Sequence, residues 1–217
     1  MTNPCRHHFL RVTAAIEAAA VEPNQTMAGA TAYEHQLNQL LQDRLRLKQI
    51  QSNQGKADLK RQLLPDYVPY VQGVLEAGLG AQDEVMTTVM VWRFDAGDFN
   101  GGLDIAQYVL KHKMVMPDRF ARTLGCLVAE DIATAALSAQ KINEPFDLAT
   151  LHRAAELTDA EDMPDQARAK LLLAMGRATL EGITEEFPGQ PGQVQAGIDL
   201  LKTAIERHDA CGGKKDL

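Results

Sequence analysis

The chain has 217 residues, of which 45% are apolar and only 5% aromatic, and its formal net charge is −7. This length suits one large domain or two small ones, and the abundance of Ala, Leu and Gln favours packed helices over sheets. No apolar run is long enough to span a membrane, and the N-terminal segment lacks the apolar core of a signal peptide. The three cysteines lie far apart, which is typical of reduced thiols in a cytosolic protein.

The charge is divided unevenly along the chain. Residues 1–64 contain eight Lys or Arg and five Asp or Glu, a net charge of +3. Residues 65–217 contain 14 and 24, a net charge of −10. A basic segment can approach phosphates, whereas an acidic body is repelled by them. We therefore expect residues 1–64 and residues 65–217 to have different partners.

Helical patterns begin near the N-terminus. Residues 7–20 predict an Ala-rich helix, which the Pro, Asn and Gly of residues 21–30 end. Thr31, with Glu34 three residues later, matches a capping box and predicts the start of a second helix. This helix is predicted to be long, with Gly55 as a point where it could be interrupted, and to end at Pro65.

The apolar stripe of the long helix is narrow. Polar and charged residues fill the rest of its surface, so the stripe needs a partner helix to bury it, as in a coiled coil. We expect this stripe to be buried between subunits of an oligomer. Its residues are Leu37, Leu40, Leu41, Leu47 and Ile50.

A basic run occupies the same helix, and the segment from Asp43 to Arg61 contains only two acids, Asp43 and Asp58. Its six cations would be strung along one element and could contact successive phosphates. The alternative is a solvated face of a coiled coil, and charge alone does not separate the two interpretations. The run comprises Arg44, Arg46, Lys48, Lys56, Lys60 and Arg61, and Arg6 and Arg11 near the N-terminus could extend it.

Helical periodicity continues to the C-terminus and predicts about eight helices with no strand. Val85, Val89 and Trp92, for example, share one helical face. We therefore predict an all-α fold. Its N-terminal helices include the long coiled-coil-like helix, and a bundle of antiparallel helix pairs follows.

The segment WRFDAGDFNGGLDIAQYVLKH, residues 92–112, is similar to the inner turn of a tetratricopeptide-like repeat. Its turn has Gly97, Asp98 and Phe99, and Gly102 would let the two helices approach closely. Gly176, Gly197, Leu201 and Ala204 indicate a second, degenerate repeat near the C-terminus. Any antiparallel helix pair would give a similar pattern, so this alternative stays open.

Candidate catalytic residues are sparse. Asp95, Asp98 and Asp104 could converge on a divalent metal, as a nuclease requires. Turns also recruit Asp for backbone hydrogen bonds, and we favour that interpretation. Cys5, His7 and His8 match no zinc spacing, and the sequence has no phosphate-binding Gly-rich loop, nucleophile elbow or H-E-x-x-H motif. We expect no metal, no cofactor and no catalytic residue.

Four segments carry a resemblance to a known family. They are RVTAA at 11–15, AYEHQL at 32–37, LTDAEDMPDQARAKL at 157–171 and the block from KRQLLPDYVPY to KHKMVMP at 60–117. Together they resemble the small terminase subunit of P2-like tailed bacteriophages, which is also described as the terminase endonuclease subunit. The resemblance runs from near residue 6 to the last helix.

The resemblance implies a function in packaging viral DNA. Small terminases recognise the packaging (cos) site on double-stranded phage DNA, assemble as homo-oligomeric rings and recruit the large subunit, which supplies ATPase and nuclease activity. The portal or procapsid is a further implied partner, no membrane partner is expected, and the implied location is the host bacterial cytoplasm. With this function, residues 1–64 are expected to bind DNA and oligomerise, and residues 65–217 to form a tetratricopeptide-like body.

One departure and two alternatives accompany this interpretation. Members of the family can carry a long basic C-terminal tail, whereas this sequence stops at CGGKKDL, which shifts the expected DNA contact to the N-terminal cations. Because no nuclease motif is visible, we expect the chain to direct cleavage by the large subunit. The alternatives are an endonuclease subunit that cuts DNA itself and a helical-repeat scaffold for protein interactions with no DNA affinity.

Overall fold

The computed structural model describes residues 3–117 and 121–217, which form nine α-helices and no strand. The predicted all-α fold is confirmed. The helices are α1 Pro4–Ala20, α2 Thr31–Lys48, α3 Asn53–Ala77, α4 Glu84–Ala96, α5 Phe99–Lys111, α6 Leu124–Lys141, α7 Leu148–Thr158, α8 Asp165–Leu180 and α9 Gln193–Arg207.

The chain divides into two compact units, Met1–Phe120 with α1–α5 and Ala121–Leu217 with α6–α9. The change in charge at residues 64 and 65 falls inside α3 and does not coincide with this division. The assignment of separate functions to the basic and acidic segments stays a prediction, because the packing of helices does not test it.

The predicted long helix is in fact two helices. Residues 49–52 separate α2 from α3, and the hydroxyl of Ser52 accepts a hydrogen bond from the backbone N–H of Gly55 at 3.1 Å. The prediction that Pro65 ends the helix is wrong, because α3 continues through both Pro65 and Pro69. A proline inside a helix costs about 3 kcal/mol. Burial of Tyr67, Tyr70 and other apolar residues of α3 offsets this cost.

The start of α2 also differs from the prediction. Ala30 is the N-cap, and no side chain of the same segment caps the helix. Instead, the carboxylate of Glu17 on α1 accepts a hydrogen bond from the backbone N–H of Ala32 at 2.8 Å. Glu34 accepts one from the N–H of Gly29. A residue on another helix therefore replaces the expected capping box.

Close contact between α1 and α3 organises the first unit. Gly73 on α3 lies against α1, where a Cβ atom would be 2.2 Å from the carbonyl oxygen of Arg11 and 2.9 Å from Cβ of Ala14. Ala14 and Ala18 are buried along this contact. Small residues on both helices let the two backbones approach.

Helices α4 and α5 form the helix pair predicted for residues 92–112. Asp98 caps α5, since its carboxylate accepts a hydrogen bond from the N–H of Gly101. A Cβ atom on Gly102 would lie 2.3 Å from the ring of Phe94, so the predicted close approach at Gly102 is confirmed. Val85, Val89 and Trp92 are buried as predicted.

The second unit also contains a glycine-mediated helix pair. In α8, a Cβ atom on Gly176 would lie 2.9 Å from Leu201, and in α9 one on Gly197 would lie 2.5 Å from Leu180. Leu201 and Ala204 are fully buried. Both pairs predicted from small residues are therefore present, but their tetratricopeptide-like character stays a prediction.

Candidate nucleic-acid interface

The α2–α3 turn carries four cations and no acid. No Asp or Glu lies between Asp43 and Asp58, and we call residues 44–57 the basic turn. The segment contains the last turn of α2, the connecting residues and the first turn of α3, whose backbone N–H groups favour anions. Its cations are Arg44, Arg46, Lys48 and Lys56.

Four of the six cations in the predicted DNA-contact run form ion pairs within the first unit. An ion-paired guanidinium or ammonium attracts a phosphate less strongly than an unpaired one, because the nearby carboxylate cancels much of its field. The six cations also lie on two helices and do not follow a single element as predicted. The pairs are Arg44–Glu84, Arg46–Asp43, Lys60–Asp95 and Arg61–Asp58.

The remaining predicted contacts differ from these. Within residues 3–117 and 121–217, Lys48, Lys56 and Arg6 have no carboxylate partner at ion-pair distance. Arg11 contacts Glu76 at 3.6 Å, and both side chains are partly exposed. Lys48 and Lys56 lie on either side of the loop in the basic turn, and Arg6 lies on α1. Of the eight predicted DNA contacts, these three could bind an anion without breaking an ion pair among the described residues.

Arg6 borders a polar cavity of about 250 Å³ between α1, α2 and α3. His7, Gln39 and Asp66 also line it, together with Gln36. Gln36 is buried, and its side-chain oxygen has no hydrogen-bond partner among the described residues. A buried acceptor in a polar cavity of this size suits a bound water. No sequence pattern indicates this cavity, because its residues come from three helices.

Two buried carboxylates support the helices around the basic turn. Asp43 accepts hydrogen bonds from the hydroxyl of Tyr67 and from Arg46, both at 2.8 Å. Asp83 accepts one from the hydroxyl of Tyr70 at 2.6 Å and caps α4. Burial raises the pKa of the Asp83 carboxyl to about 6, and it also raises the pKa values of Tyr67 and Tyr70. Sequence reasoning missed both tyrosine–aspartate pairs.

The carboxylates of the α4–α5 turn are engaged with cations and backbone groups. Asp95 pairs with Lys60, and Asp98 pairs with Arg93 while capping α5. The backbone hydrogen bond of Asp98 is the contact that the turn interpretation predicts, whereas Asp95 is held by an ion pair and Asp104 is exposed. Within the part of the chain that the structure describes, no group of three or more His, Cys, Asp or Glu side chains is placed to hold a metal ion.

The predicted oligomerisation stripe lies on α2, except for Ile50 in the loop that follows, and it is divided between core and surface. Leu40 and Leu47 are buried inside the first unit, so these two side chains cannot contact another subunit. The chain's own α3 and α4 supply the partner that the narrow stripe needed. Leu41 is exposed, and Leu37 and Ile50 are half-buried.

Comparison with known proteins decides the family. The match to the family described as phage small terminase subunit covers residues 37–166. The protein named "Terminase, endonuclease subunit" from Escherichia phage P2 is 39% identical over 217 residues, which is 100% of this chain and 83% of the relative. The chain belongs to the phage small terminase subunit family. Membership gives it a function in packaging phage DNA.

A second relative gives the same family. The "Probable terminase, endonuclease subunit" of Haemophilus phage HP1 (strain HP1c1) is 27% identical over 140 residues, 60% of this chain and 50% of the relative. No solved structure matches the chain. No helix among the described residues is long and apolar enough to cross a membrane.

The residues that match the family include most of the candidate interface. Residues 37–166 include the whole basic turn, the helix pair α4–α5 and the buried Asp43 and Asp83, whereas α1 with Arg6 lies before the match. The basic turn is therefore part of the segment that this terminase shares with its family.

Proposed function

We propose that the chain is the DNA-recognition subunit of a phage terminase. It binds the packaging (cos) site of double-stranded phage DNA in the host bacterial cytoplasm, assembles as a homo-oligomeric ring and recruits the large subunit. The large subunit then carries out ATP hydrolysis and cohesive-end cleavage. The observation that carries this proposal is the 39% identity to the phage P2 relative across the whole chain.

The basic turn is the proposed DNA contact. Lys48 and Lys56 supply two cations without carboxylate partners among the described residues, and the first turn of α3 between them offers backbone N–H groups. Phosphate contacts of this kind position a protein on DNA and release counterions, so affinity falls as salt rises. Arg6 on α1 is a further cation without a carboxylate partner among the described residues, and it lies outside the basic turn.

The ion-paired cations have a different proposed function. Arg44 of α2 forms an ion pair with Glu84 at the start of α4. Lys60 of α3 forms an ion pair with Asp95 near the end of α4. Replacing Arg44 with Glu would place two carboxylates side by side and disturb helix packing. Loss of DNA binding in such a variant would therefore not identify a phosphate contact.

The test is DNA binding by the variant Lys48→Gln/Lys56→Gln over a range of salt concentrations. We expect weaker binding, and a slope of log affinity against log salt that is smaller by about two, since two phosphate contacts are lost. The matched control is Lys202→Gln/Lys215→Gln, which removes two exposed cations from the second unit. An unchanged slope in the basic-turn variant would contradict this DNA contact.

A second candidate function follows from the names of the relatives, which are called endonuclease subunits. It requires the purified chain to cut cos-containing DNA with magnesium in the absence of the large subunit. Cleavage by the chain alone would replace our proposal that it directs a nuclease. Binding without cleavage would support recognition, and no binding even at low salt would favour a protein-interaction scaffold.

A further inference from the structure

Helix α1 has an apolar face exposed to solvent along its whole length. Cys5, Phe9, Val12, Ile16 and Ala19 are separated by four, three, four and three residues, the spacing of a coiled-coil seam. All five are exposed, with Phe9 at 70%, Val12 at 38% and Ile16 at 65%. Scattered apolar residues are normal on a protein surface, but a continuous seam marks an interaction site.

The opposite face of α1 is already used. Ala14 and Ala18 are buried, and Gly73 of α3 brings the two backbones together at this contact. Helix α1 therefore cannot rotate to bury Phe9 and Ile16 without losing its contact with α3. The seam is therefore open to a partner outside the chain.

Charges near the seam indicate which partner fits. Arg6 lies on one flank of the seam near the N-terminal end, and Glu17 lies on the same flank near the C-terminal end. In an antiparallel pair of identical helices, the same flanks face each other. With Phe9 placed opposite Ile16, Arg6 of each copy lies within one helical turn of Glu17 of the other. In a parallel pair each flank faces the opposite flank of the partner helix, so Arg6 of one copy does not meet Glu17 of the other.

We propose that α1 packs antiparallel against α1 of a second copy of this chain. The seam then becomes a two-fold symmetric contact centred near Val12, in which Phe9 and Ile16 of the two copies interleave and two Arg6–Glu17 pairs flank them. The inference rests on the proposed homo-oligomer and specifies one of its surfaces. A two-fold contact joins only two copies, so the proposed ring needs a second, head-to-tail surface in addition to α1.

The first test is native mass against protein concentration. We expect the full-length chain to associate, and Phe9→Ser/Ile16→Ser to raise the dissociation constant at least about tenfold, because each copy loses two seam side chains. Leu41→Ser/Leu45→Ser is the matched control, since both leucines are exposed on α2 in the same unit. We expect this control to associate like the unchanged chain.

Two results would overturn the proposal. One is association that Leu41→Ser/Leu45→Ser abolishes and Phe9→Ser/Ile16→Ser leaves intact. This result places the contact on α2 and keeps the proposed oligomer. The other is a monomer at every concentration, whether or not Phe9 and Ile16 bind the large subunit, and it also removes the oligomer from the proposed function. DNA binding, measured separately with the basic-turn variant, is independent of both.

A second test determines the direction of packing. In an antiparallel pair only residues near the two-fold axis meet their own copies, so a cysteine at Val12 can form a disulfide with its counterpart and one at Ile16 cannot. In a Cys5→Ser background under a mild oxidant, we expect Val12→Cys to cross-link and Ile16→Cys to stay uncross-linked. Equal cross-linking at both positions indicates parallel packing and overturns the antiparallel arrangement.

Charge variants distinguish a specific α1–α1 contact from nonspecific hydrophobic association. Arg6→Glu places a carboxylate near Glu17 of the other copy, and we expect it to weaken association about fivefold. Glu17→Gln removes the charge but keeps an oxygen that can accept the hydrogen bond from Ala32. Combined with Arg6→Glu, it should restore part of the lost affinity. No recovery would contradict the predicted pairing of these flanks.

Discussion

Helices α1 and α2 belong to the same compact unit, and both have large apolar residues at helical spacing. The two helices differ in whether these residues are buried. Leu40 and Leu47 of α2 are buried against the chain's own helices, whereas Phe9 and Ile16 of α1 are exposed. On α1, small alanines face α3, and the large side chains face outward. The large apolar residues of a helix therefore do not always point toward the core of its own chain.

The difference follows from how closely each helix approaches its neighbour. Gly73 on α3 leaves room only for small side chains from α1, so Ala14 and Ala18 occupy the contact and larger residues are excluded. Helix α2 has the opposite arrangement, with Leu and Tyr side chains in its contact. A stripe of large residues is an oligomerisation signal only when another face of the helix already provides its packing.

The largest expected effect on stability tests whether α2 is held by its buried face, and it concerns Leu40. We expect Leu40→Ala to lower the free energy of unfolding by about 2–5 kcal/mol, because it leaves a cavity in a fully buried site. Leu41→Ala, one residue later and 44% exposed, should cost much less. Denaturant unfolding of both variants measures the difference. Equal losses would mean that α2 is not held by its buried face.

The buried Asp83 beneath these helices gives a pH-dependent prediction. Burial raises the pKa of the Asp83 carboxyl in the folded chain from 3.8 to about 6. Between these values the folded state binds more protons than the unfolded state, so this group's contribution to stability falls as pH rises from about 4 to about 6. The expected loss is about 3 kcal/mol. Above pH 6, the cost of burying the charge is fully present.

Two variants isolate that contribution. Asp83→Asn can still cap α4 without a charge, so its stability relative to the unchanged chain should rise as pH increases from 4 to 6. Asp147→Asn is the control of opposite sign, because hydrogen bonds to Thr150 lower the pKa of Asp147. That carboxylate stabilises the fold above its unfolded pKa and loses its effect in acid. A stability difference for Asp83→Asn that does not change with pH would contradict the raised pKa.

The smallest expected effect concerns the attachment of α1 to α3. In Gly73→Ala the new Cβ would meet the backbone of Arg11 at 2.2 Å, so α1 must move away. Overpacking costs about 1–3 kcal/mol, and the helix preference of Ala recovers about 1 kcal/mol. We expect faster hydrogen exchange in α1 and little change in α2. The control is Gly101→Ala, whose Cβ would meet the movable side chains of Arg93 and Asp98. Unchanged exchange in α1 would show that close approach does not hold it.

Local signals predicted most of the helices. Asp147 caps the start of α7, and this signal is local because a side-chain cap acts on residues within one turn. Val85, Val89 and Trp92 lie on one face and are buried, because their spacing follows the helical period. The prediction for Pro65 was wrong because the local preference of a proline was outweighed by packing along the whole of α3.

The candidate interface was predicted less completely. The cations were found from the sequence, but their availability depends on acids distant in the chain, such as Glu84 for Arg44 and Asp95 for Lys60. Spacing within a helix cannot reveal such partners. The structure thus leaves Lys48 and Lys56 as the proposed contacts in the basic turn, and their binding to DNA stays a prediction.

The sequence by itself determined that this chain is helical, that the segment with net positive charge is residues 1–64 and that it resembles a terminase subunit, since these features reside in composition, periodicity and local motifs. Only the tertiary structure decided which apolar face is covered, which cations are ion-paired and that Glu17 caps a helix other than its own. These outcomes depend on contacts between residues far apart in the chain. Their physical basis is close packing and charge pairing in three dimensions, which a linear pattern does not contain.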